Sequence, residues 1–235
     1  MRYTRQALKQ DRFAETAADA MHWTAEHRSK LVVGGIILVV LLAVVGGGYW
    51  YTVHREGKAA DALGQALMIY RAPLRPPSMP PDPQQLSFTS IKERGEAAGV
   101  EFNKVAQEYG STRSGKFAKY FAGLAAIDAG NEKVAEEHLK YVAGIRDADI
   151  SSLAKLALAA LYRDSGRQPD AINMYKDLAA HPTQTVPKVM AQLQLADLYG
   201  SKQPNEARAL YQQIVKENPQ SAAAEIATGK IQELK

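Results

Sequence analysis

Five histidines and several carboxylates grouped on short stretches are the side chains of this sequence that suit metal binding or proton transfer. His22 and His27 are five positions apart, whereas two imidazoles on a helix reach one metal when they are four apart. Glu136 precedes Lys140 by four residues, a spacing that forms an ion pair on a solvated helix face. We therefore predict solvent-facing or membrane-edge histidines and no metal site.

The sequence also lacks the motifs of covalent catalysis and nucleotide binding. Because it has no cysteine, it has no thiol nucleophile and no cysteine-ligated zinc. It contains no P-loop, no G-x-S-x-G motif and no dinucleotide fingerprint. Its 29 Lys and Arg nearly balance its 25 Asp and Glu, so its net charge does not indicate nucleic-acid binding. These absences predict a protein that is not an enzyme, with no cofactor, no nucleic-acid partner and no evident small-molecule substrate.

The longest apolar feature lies between Lys30 and His54, where no Asp, Glu, Lys, Arg or His occurs. Residues 31–51 would rise about 31 Å as a helix, which matches a hydrocarbon core of about 30 Å. A helix buried in a soluble core seldom needs so long an apolar run. A cleaved signal peptide has a shorter apolar region that lies closer to its cleavage site. We therefore predict an uncleaved transmembrane anchor at residues 31–53, in contact with the lipid bilayer.

The charges on either side of the anchor predict its orientation. Arg2, Arg5 and Lys9 make the preceding segment basic, and short basic segments resist translocation. Residues 1–30 are therefore predicted to be a cytoplasmic tail, with residues 54–235 outside, in the periplasm if the cell has two membranes. The tail is predicted to be partly helical, lying on the membrane surface or against a partner. The prediction rests on a stripe along one helical face, formed by Phe13, Ala17, Met21 and Thr24.

A repeat with a period of 36 residues organises the exported part. It is marked by Ala135, Ala171 and Ala207. Large or apolar residues follow each alanine at four and seven positions, and another small residue precedes each by eleven or twelve. Small residues let two antiparallel helices approach closely, and the large ones fill the space to the next pair. The flanking residues are Leu139, Tyr175 and Tyr211, then Val142, Leu178 and Ile214, and before the alanines Gly123, Ala159 and Ala196.

An earlier copy of the repeat is interrupted. Ala98, Phe102 and Val105 repeat the same spacing, and residues 58–71 are the predicted partner helix. Between them lies a segment with six of the chain's eleven prolines, a density that no helix tolerates. We predict an exposed, partly polyproline II loop there, a Pro-rich insertion at residues 73–87. At the other end, the stretch that begins at Ser221 is typical of a closing helix.

These positions resemble the tetratricopeptide repeat family, whose pattern is a small residue, Tyr three positions later, and then Gly, Ala, an aromatic residue and Pro. The resemblance implies an all-α fold: a single transmembrane helix followed by a tetratricopeptide-repeat-like α-solenoid of about four helix pairs. The matching residues are Ala159, Tyr162, Gly166, Ala171 and Tyr175 in one copy, and Ala196, Tyr199, Ala207, Tyr211 and Pro219 in the next.

The layout of short tail, single anchor with an aromatic cluster, and repeat domain resembles the YfgM-like ancillary subunits of the Sec translocon. That resemblance implies a single-pass protein of the bacterial inner membrane, with its amino terminus in the cytoplasm and its repeat domain in the periplasm. It also implies translocon subunits or a membrane-anchored chaperone as protein partners. A repeat scaffold for cell-envelope assembly or division, or a self-associating structural protein, is the alternative.

The groove positions of the repeat family, placed on this sequence, select a set of apolar residues on the first helix of each pair. Such a wall would bind an amphipathic helix or an unfolded hydrophobic segment. Alternatively, several of these residues are ordinary core within a repeat. The candidates are Phe117, Tyr120, Leu124, Ile127, Leu153, Leu156, Met190 and Leu193.

Overall fold

A computed structural model of the chain describes residues 27–200 and 202–234. Within these ranges the regular structure is helical, with one isolated β-bridge between Leu74 and Phe88. The helical stripe predicted for the tail, from Phe13 to Thr24, lies outside the described residues. The described residues form nine helices: α1 (Arg28–Tyr70), α2 (Ile91–Glu108), α3 (Arg113–Asp128), α4 (Glu132–Ala143), α5 (Ala148–Asp164), α6 (Gln168–Ala180), α7 (Lys188–Tyr199), α8 (Pro204–Glu217) and α9 (Ala222–Glu233).

The described chain divides into two compact units at the bond between His54 and Arg55. In the first unit, the large apolar side chains of α1 from Val32 to Val53 are between 54% and 72% exposed. Among the described residues, α1 is the helix that is long and apolar enough to cross a membrane, and its apolar stretch is not buried within the protein. This exposure is what a helix surrounded by lipid requires.

In the second unit, each helix from α2 to α9 packs against the next one in the chain. In addition, α3 contacts α5, and α7 contacts α9. Residues 55–70 of α1 supply the first helix of the first pair, because Ala66 packs with Ala98, Phe102 and Ala122 of α2 and α3. The all-α prediction of about four helix pairs is confirmed, and α9 follows the fourth pair as a closing helix.

The repeat positions are where the helices of a pair meet. Ala135, Ala171 and Ala207 are fully buried, as are Ala159 and Ala196 on the facing helices. The large residues four positions after each marker alanine are 0–2% exposed. Small side chains therefore set the distance between paired helices, and large side chains fill the space beside them.

Local signals end and begin the paired helices. Gly130 and Gly166, 36 residues apart, have φ angles of +76° and +77°, a conformation that glycine adopts without steric cost. They end α3 and α5 at equivalent places. Asn131 and Asp147 then accept hydrogen bonds from the backbone N–H groups of Val134 and Ile150 as N-caps of α4 and α5.

The segment between α1 and α2 contains no helix. Its two ends are paired by backbone hydrogen bonds, from Arg75 N to Phe88 O at 2.8 Å and from Phe88 N to Pro73 O at 3.1 Å. Phe88 is buried, whereas residues 76–86 are exposed. The Ser90 hydroxyl accepts a hydrogen bond from Glu93 N, and the Glu93 carboxylate accepts from Thr89 N, so a reciprocal cap starts α2.

Candidate functional site

The predicted groove residues lie on the first helices of three consecutive pairs, α3, α5 and α7. Seven of the eight are half-buried, and Met190 is 40% exposed. None of them is fully buried. We call this set the apolar wall; it consists of Phe117, Tyr120, Leu124 and Ile127 on α3, Leu153 and Leu156 on α5, and Met190 and Leu193 on α7.

One side of the wall rests on the core. Six of its members pack against core clusters, whereas Leu124 and Met190 belong to none of them. Ala118, Ala154 and Ala191 each follow a wall residue in sequence, and all three are fully buried. The apolar surface of these helices therefore extends beyond what the core uses. Since α3 and α5 are in contact, the fold brings their parts of the wall together.

Arg113 holds the edge of the wall where α3 begins. Its guanidinium carbon lies 5.8 Å from the ring centroid of Phe117. Its Nε is 3.3 Å from Asp147 Oδ2, and its terminal nitrogen is 3.9 Å from Asp149 Oδ2. These contacts connect the start of α3 to the start of α5, and they leave one net negative charge at this edge of the apolar surface.

The eight wall residues carry no ionised group, but Arg163, 36 residues after Ile127, donates a hydrogen bond to Gln194 next to Leu193. Tyr120 packs edge-on against Phe121, with ring centroids 5.2 Å apart. Burial raises the pKa of Tyr120 above its ordinary value, so its hydroxyl stays neutral at physiological pH. A surface of this kind can bind apolar side chains and offers no acid, base or nucleophile for catalysis.

The second helices of the pairs present a different surface. The outward residues of α4, α6 and α8 are mostly charged or amide side chains, which suit water. The apolar character of the wall is therefore specific to the first helices. The exposed outward residues include Lys133, Glu137 and Lys140 on α4, Asp170, Asn173 and Lys176 on α6, and Glu206, Gln212 and Lys216 on α8.

A charged network joins the second and third pairs. The Glu136 carboxylate accepts hydrogen bonds from Lys140 Nζ at 2.7 Å, an Arg167 terminal nitrogen at 2.9 Å and the Tyr162 hydroxyl at 3.0 Å. The Arg167 guanidinium carbon also lies 3.9 Å from the Tyr162 ring centroid. The hydrogen bonds from Lys140 and Arg167 lower the pKa of Glu136 to about 2. The network supports the wall by fixing one pair against the next.

The histidines are scattered, and one prediction about them was wrong. His138 is 7% exposed rather than solvent-facing, because its face of α4 packs towards the core instead of away from it. Burial, and to a lesser extent Lys119, lower its pKa, so the imidazole is neutral. In the ranges that the structure describes, no three His, Asp or Glu side chains are grouped to hold a metal ion; His22 lies outside these ranges.

Ile226 extends the exposed apolar positions to the closing helix. It lies 36 residues after Met190 on α9, which packs beside α7, and it is 53% exposed. The sequence carried this signal in the same spacing that relates Phe117 to Leu153. The closing helix lacks the marker alanine of a complete repeat, so the repeat pattern alone does not identify Ile226.

The chain has been compared with protein families, curated proteins and solved structures. The model of a family described as a tetratricopeptide repeat-like domain matches residues 21–235. No curated protein and no solved structure matches the chain. The matched range includes all four helix pairs, the closing helix and the apolar stretch of α1.

Proposed function

The chain belongs to the tetratricopeptide repeat-like domain family, and on that premise we propose that it is a non-catalytic, membrane-anchored subunit whose apolar wall holds a segment of a partner protein. Repeat domains of this family are in general protein-interaction modules without catalytic activity. Protein binding or scaffolding therefore follows from family membership. The position of the binding surface and the identity of the partner are the further content of the proposal.

One observation supports the wall as the binding surface: its apolar side chains remain partly open to solvent although their sequence neighbours are fully buried. Leu153 and Leu156 are half-buried, whereas Ala154 between them is 0% exposed. Phe117 and Met190 repeat this arrangement on α3 and α7. Contiguous apolar surface costs free energy in water, and covering it with a partner recovers about 25 cal/mol for each Å² buried.

The chemistry of the wall defines the partner segment. Because the wall has no ionised side chain, the segment contributes apolar side chains rather than charges. An amphipathic helix or an unfolded hydrophobic segment meets this requirement. Arg113, Asp147 and Asp149 leave one net negative charge at one edge, so apolar contact dominates recognition along the wall and a basic residue of the segment would suit that edge.

The first unit anchors the subunit in the proposal. The apolar stretch of α1 would cross the bacterial inner membrane once, with the amino terminus in the cytoplasm and the repeat domain in the periplasm. The basic residues Arg2, Arg5 and Lys9 support this orientation. The wall would then be available to partners on the periplasmic side.

Association with the Sec translocon and membrane-anchored periplasmic chaperones is the finer proposal. Its support is the layout of a short tail, one anchor and a repeat domain, which resembles the YfgM-like ancillary subunits. An unfolded hydrophobic segment is also what a translocon delivers to the periplasmic side. A scaffold for cell-envelope assembly or division would use the same wall for a different partner.

Crosslinking of the full-length chain in intact membranes tests the proposal. Changing Tyr120, Leu124 and Leu156 together to Ser should abolish capture of the partner while circular dichroism keeps its helical signal. Val100→Ser is the matched control, because Val100 is 66% exposed on α2 and lies outside the wall.

The captured proteins distinguish the alternatives. Translocon subunits or membrane-anchored chaperones would support the finer proposal, and envelope-synthesis enzymes would replace it with the scaffold. If the wall variant captures the same partners as Val100→Ser, the wall is not the binding surface. If the wall variant loses its helical signal, these residues are core.

A further inference from the structure

Two equivalent lysines in consecutive pairs have different surroundings. Lys119 on α3 and Lys155 on α5 are 36 residues apart. Lys155 Nζ lies 2.7 Å from Asp177 Oδ2 on α6, so its charge is paired within its own helix pair. The residue equivalent to Asp177 in the preceding pair is Tyr141 on α4, whose ring centroid lies 5.9 Å from Lys119 Nζ. The second pair therefore has the cation without a carboxylate at the position of Asp177.

A cavity of about 270 Å³ occupies the place of the missing carboxylate. Lys116 and Lys119 line it from α3, and Glu137 and Tyr141 line it from α4. The third pair has Ser152 at the position of Lys116 and Asn173 at the position of Glu137. The second pair therefore has one cation more, and its acid lies one helical turn earlier, at Glu137. The cavity shares no residue with the apolar wall.

The two lysines of the cavity are not neutralised. Neither has a carboxylate oxygen within 4 Å among the described residues, and Glu137 is paired with neither of them. Both lysines are half-buried as residues. Lys119 also helps to lower the pKa of the buried His138, which places its charge close to that imidazole. The cavity therefore has an excess of positive charge.

The end of α2 adds hydrogen-bond acceptors. Ala106 and Gln107 line the cavity, and they are in the last turn of α2, where backbone carbonyls have no partner within the helix. Among the described residues, no backbone N–H group beyond the helix donates to either carbonyl. These acceptors suit a backbone amide N–H. Their partial negative charge and Glu137 oppose any anion, and they oppose a dianion more strongly than a single carboxylate.

We propose that this cavity binds an acidic side chain of a partner protein, with the carboxylate between Lys116 and Lys119 and the backbone amide of the same residue at the end of α2. The bound carboxylate pairs with the ammonium of Lys119 as Asp177 pairs with the ammonium of Lys155. A free small carboxylate shares the charge but has no backbone amide. The site is separate from the apolar wall, so it stands or fails independently of the proposed function.

The test uses the full-length chain in detergent micelles, with its lysines labelled with ¹³C at the ε carbon and observed by NMR. The probes are N-acetylglutamate amide, its uncharged match N-acetylglutamine amide, acetate and inorganic phosphate. N-acetylglutamate amide should shift the Lys116 and Lys119 signals saturably, and the Lys155 signal should stay in place as the internal control. N-acetylglutamine amide should shift none of the three.

The same titrations distinguish the sources of the carboxylate. Tighter binding of N-acetylglutamate amide than of acetate identifies a protein side chain, and equal binding identifies a free carboxylate. Tighter binding of phosphate than of either overturns the assignment to a carboxylate. Shifts that are linear in concentration, or equal at Lys119 and Lys155, overturn the site.

Two substitutions complete the test. Lys119→Gln should weaken binding about tenfold, as loss of a charge-assisted hydrogen bond does; Lys133→Gln, an exposed lysine on α4 outside the cavity, should leave it unchanged. Glu137→Gln should tighten binding because it removes the one acid among the described residues that line the cavity. Unchanged or weaker binding by Glu137→Gln contradicts the proposed charge balance even if Lys119→Gln does not fold.

Discussion

A Cβ atom added at Gly123 would lie 2.8 Å from Leu139 Cγ and 2.9 Å from Leu139 Cδ2. Gly123 is on α3 and Leu139 is on α4, so the backbone of one helix touches the side chain of its partner. Ala159 and Ala196 occupy the equivalent positions in the next two pairs and are fully buried. The size of the residue at this position therefore sets how closely the two helices of a pair approach.

Gly123→Ala should lower the free energy of unfolding. Overpacking at such a contact costs about 1–3 kcal/mol, which exceeds the gain of up to about 1 kcal/mol when Ala replaces Gly in a helix. Gly99→Ala on α2 is the matched control, because its added Cβ would lie 3.8 Å from the nearest atom, Ala125 Cβ. Urea denaturation should show Gly99→Ala at least as stable as the unmodified chain. Equal stability of the two variants would contradict the close contact.

Ala171→Leu should destabilise the repeat unit by about 1–3 kcal/mol, because Ala171 is fully buried between paired helices. Neighbouring pairs share interfaces, so the loss should extend beyond one pair. Ala209→Leu is the control, since Ala209 is exposed on the adjacent second helix, α8. Thermal unfolding followed by circular dichroism measures both. An unchanged melting temperature for Ala171→Leu would show that the repeat register is wrong.

The helix pairing could be predicted from the sequence because the repeat depends on single positions. Ala135, Ala171 and Ala207 are 36 residues apart, and the residue four positions after each is always large. A buried column of this kind needs small and large residues at fixed places, and the chain shows them directly. Ser221 likewise marked the start of α9, because its hydroxyl accepts a hydrogen bond from Ala224 N.

Features that depend on two helices at once could not be predicted in this way. The predicted anchor and the predicted helix at 58–71 form one continuous helix, Arg28–Tyr70. Gly57 lies between them, but without a left-handed turn or a proline this glycine does not end the helix. The burial of His138 depends on what packs against α4. The cavity at Lys119 is formed by residues of different helices, including Lys119 on α3 and Tyr141 on α4, which no local pattern records.

Acid should weaken the repeat unit partly through Glu136. Hydrogen bonds from Lys140 and Arg167 lower its pKa from 4.5 to about 2. A lowered carboxyl pKa adds stability that is complete above the ordinary pKa and is lost as pH falls towards the folded value. Between about pH 4.5 and 2, Glu136→Gln should therefore lose less stability than the unmodified chain. Glu132→Gln, at an exposed acid on the same helix, should keep the original pH dependence; identical profiles for all three proteins would contradict the role of the network.

Alkaline phosphatase fused after Lys235 should be active, because this enzyme matures outside the cytoplasm and the repeat unit is proposed to be periplasmic. Green fluorescent protein fused at the same position should be dark, because it is not fluorescent after export through the Sec pathway. The basic residues of the tail are the physical reason for this orientation. Replacing Arg2, Arg5 and Lys9 by Gln is the matched test. It should weaken the preference for the orientation with the amino terminus in the cytoplasm. An inactive phosphatase fusion at normal expression would place the repeats in the cytoplasm.

Photocrosslinking from the apolar wall in intact membranes tests the central claim most directly. A photoreactive phenylalanine in place of Leu156 should form an adduct with a partner protein. The same group in place of Lys176, on the outward face of α6, should form none. Adducts of equal yield from both positions, or an adduct only from position 176, would contradict binding at the wall. An adduct of position 156 with a second copy of this chain would make the protein a self-associating structural one instead.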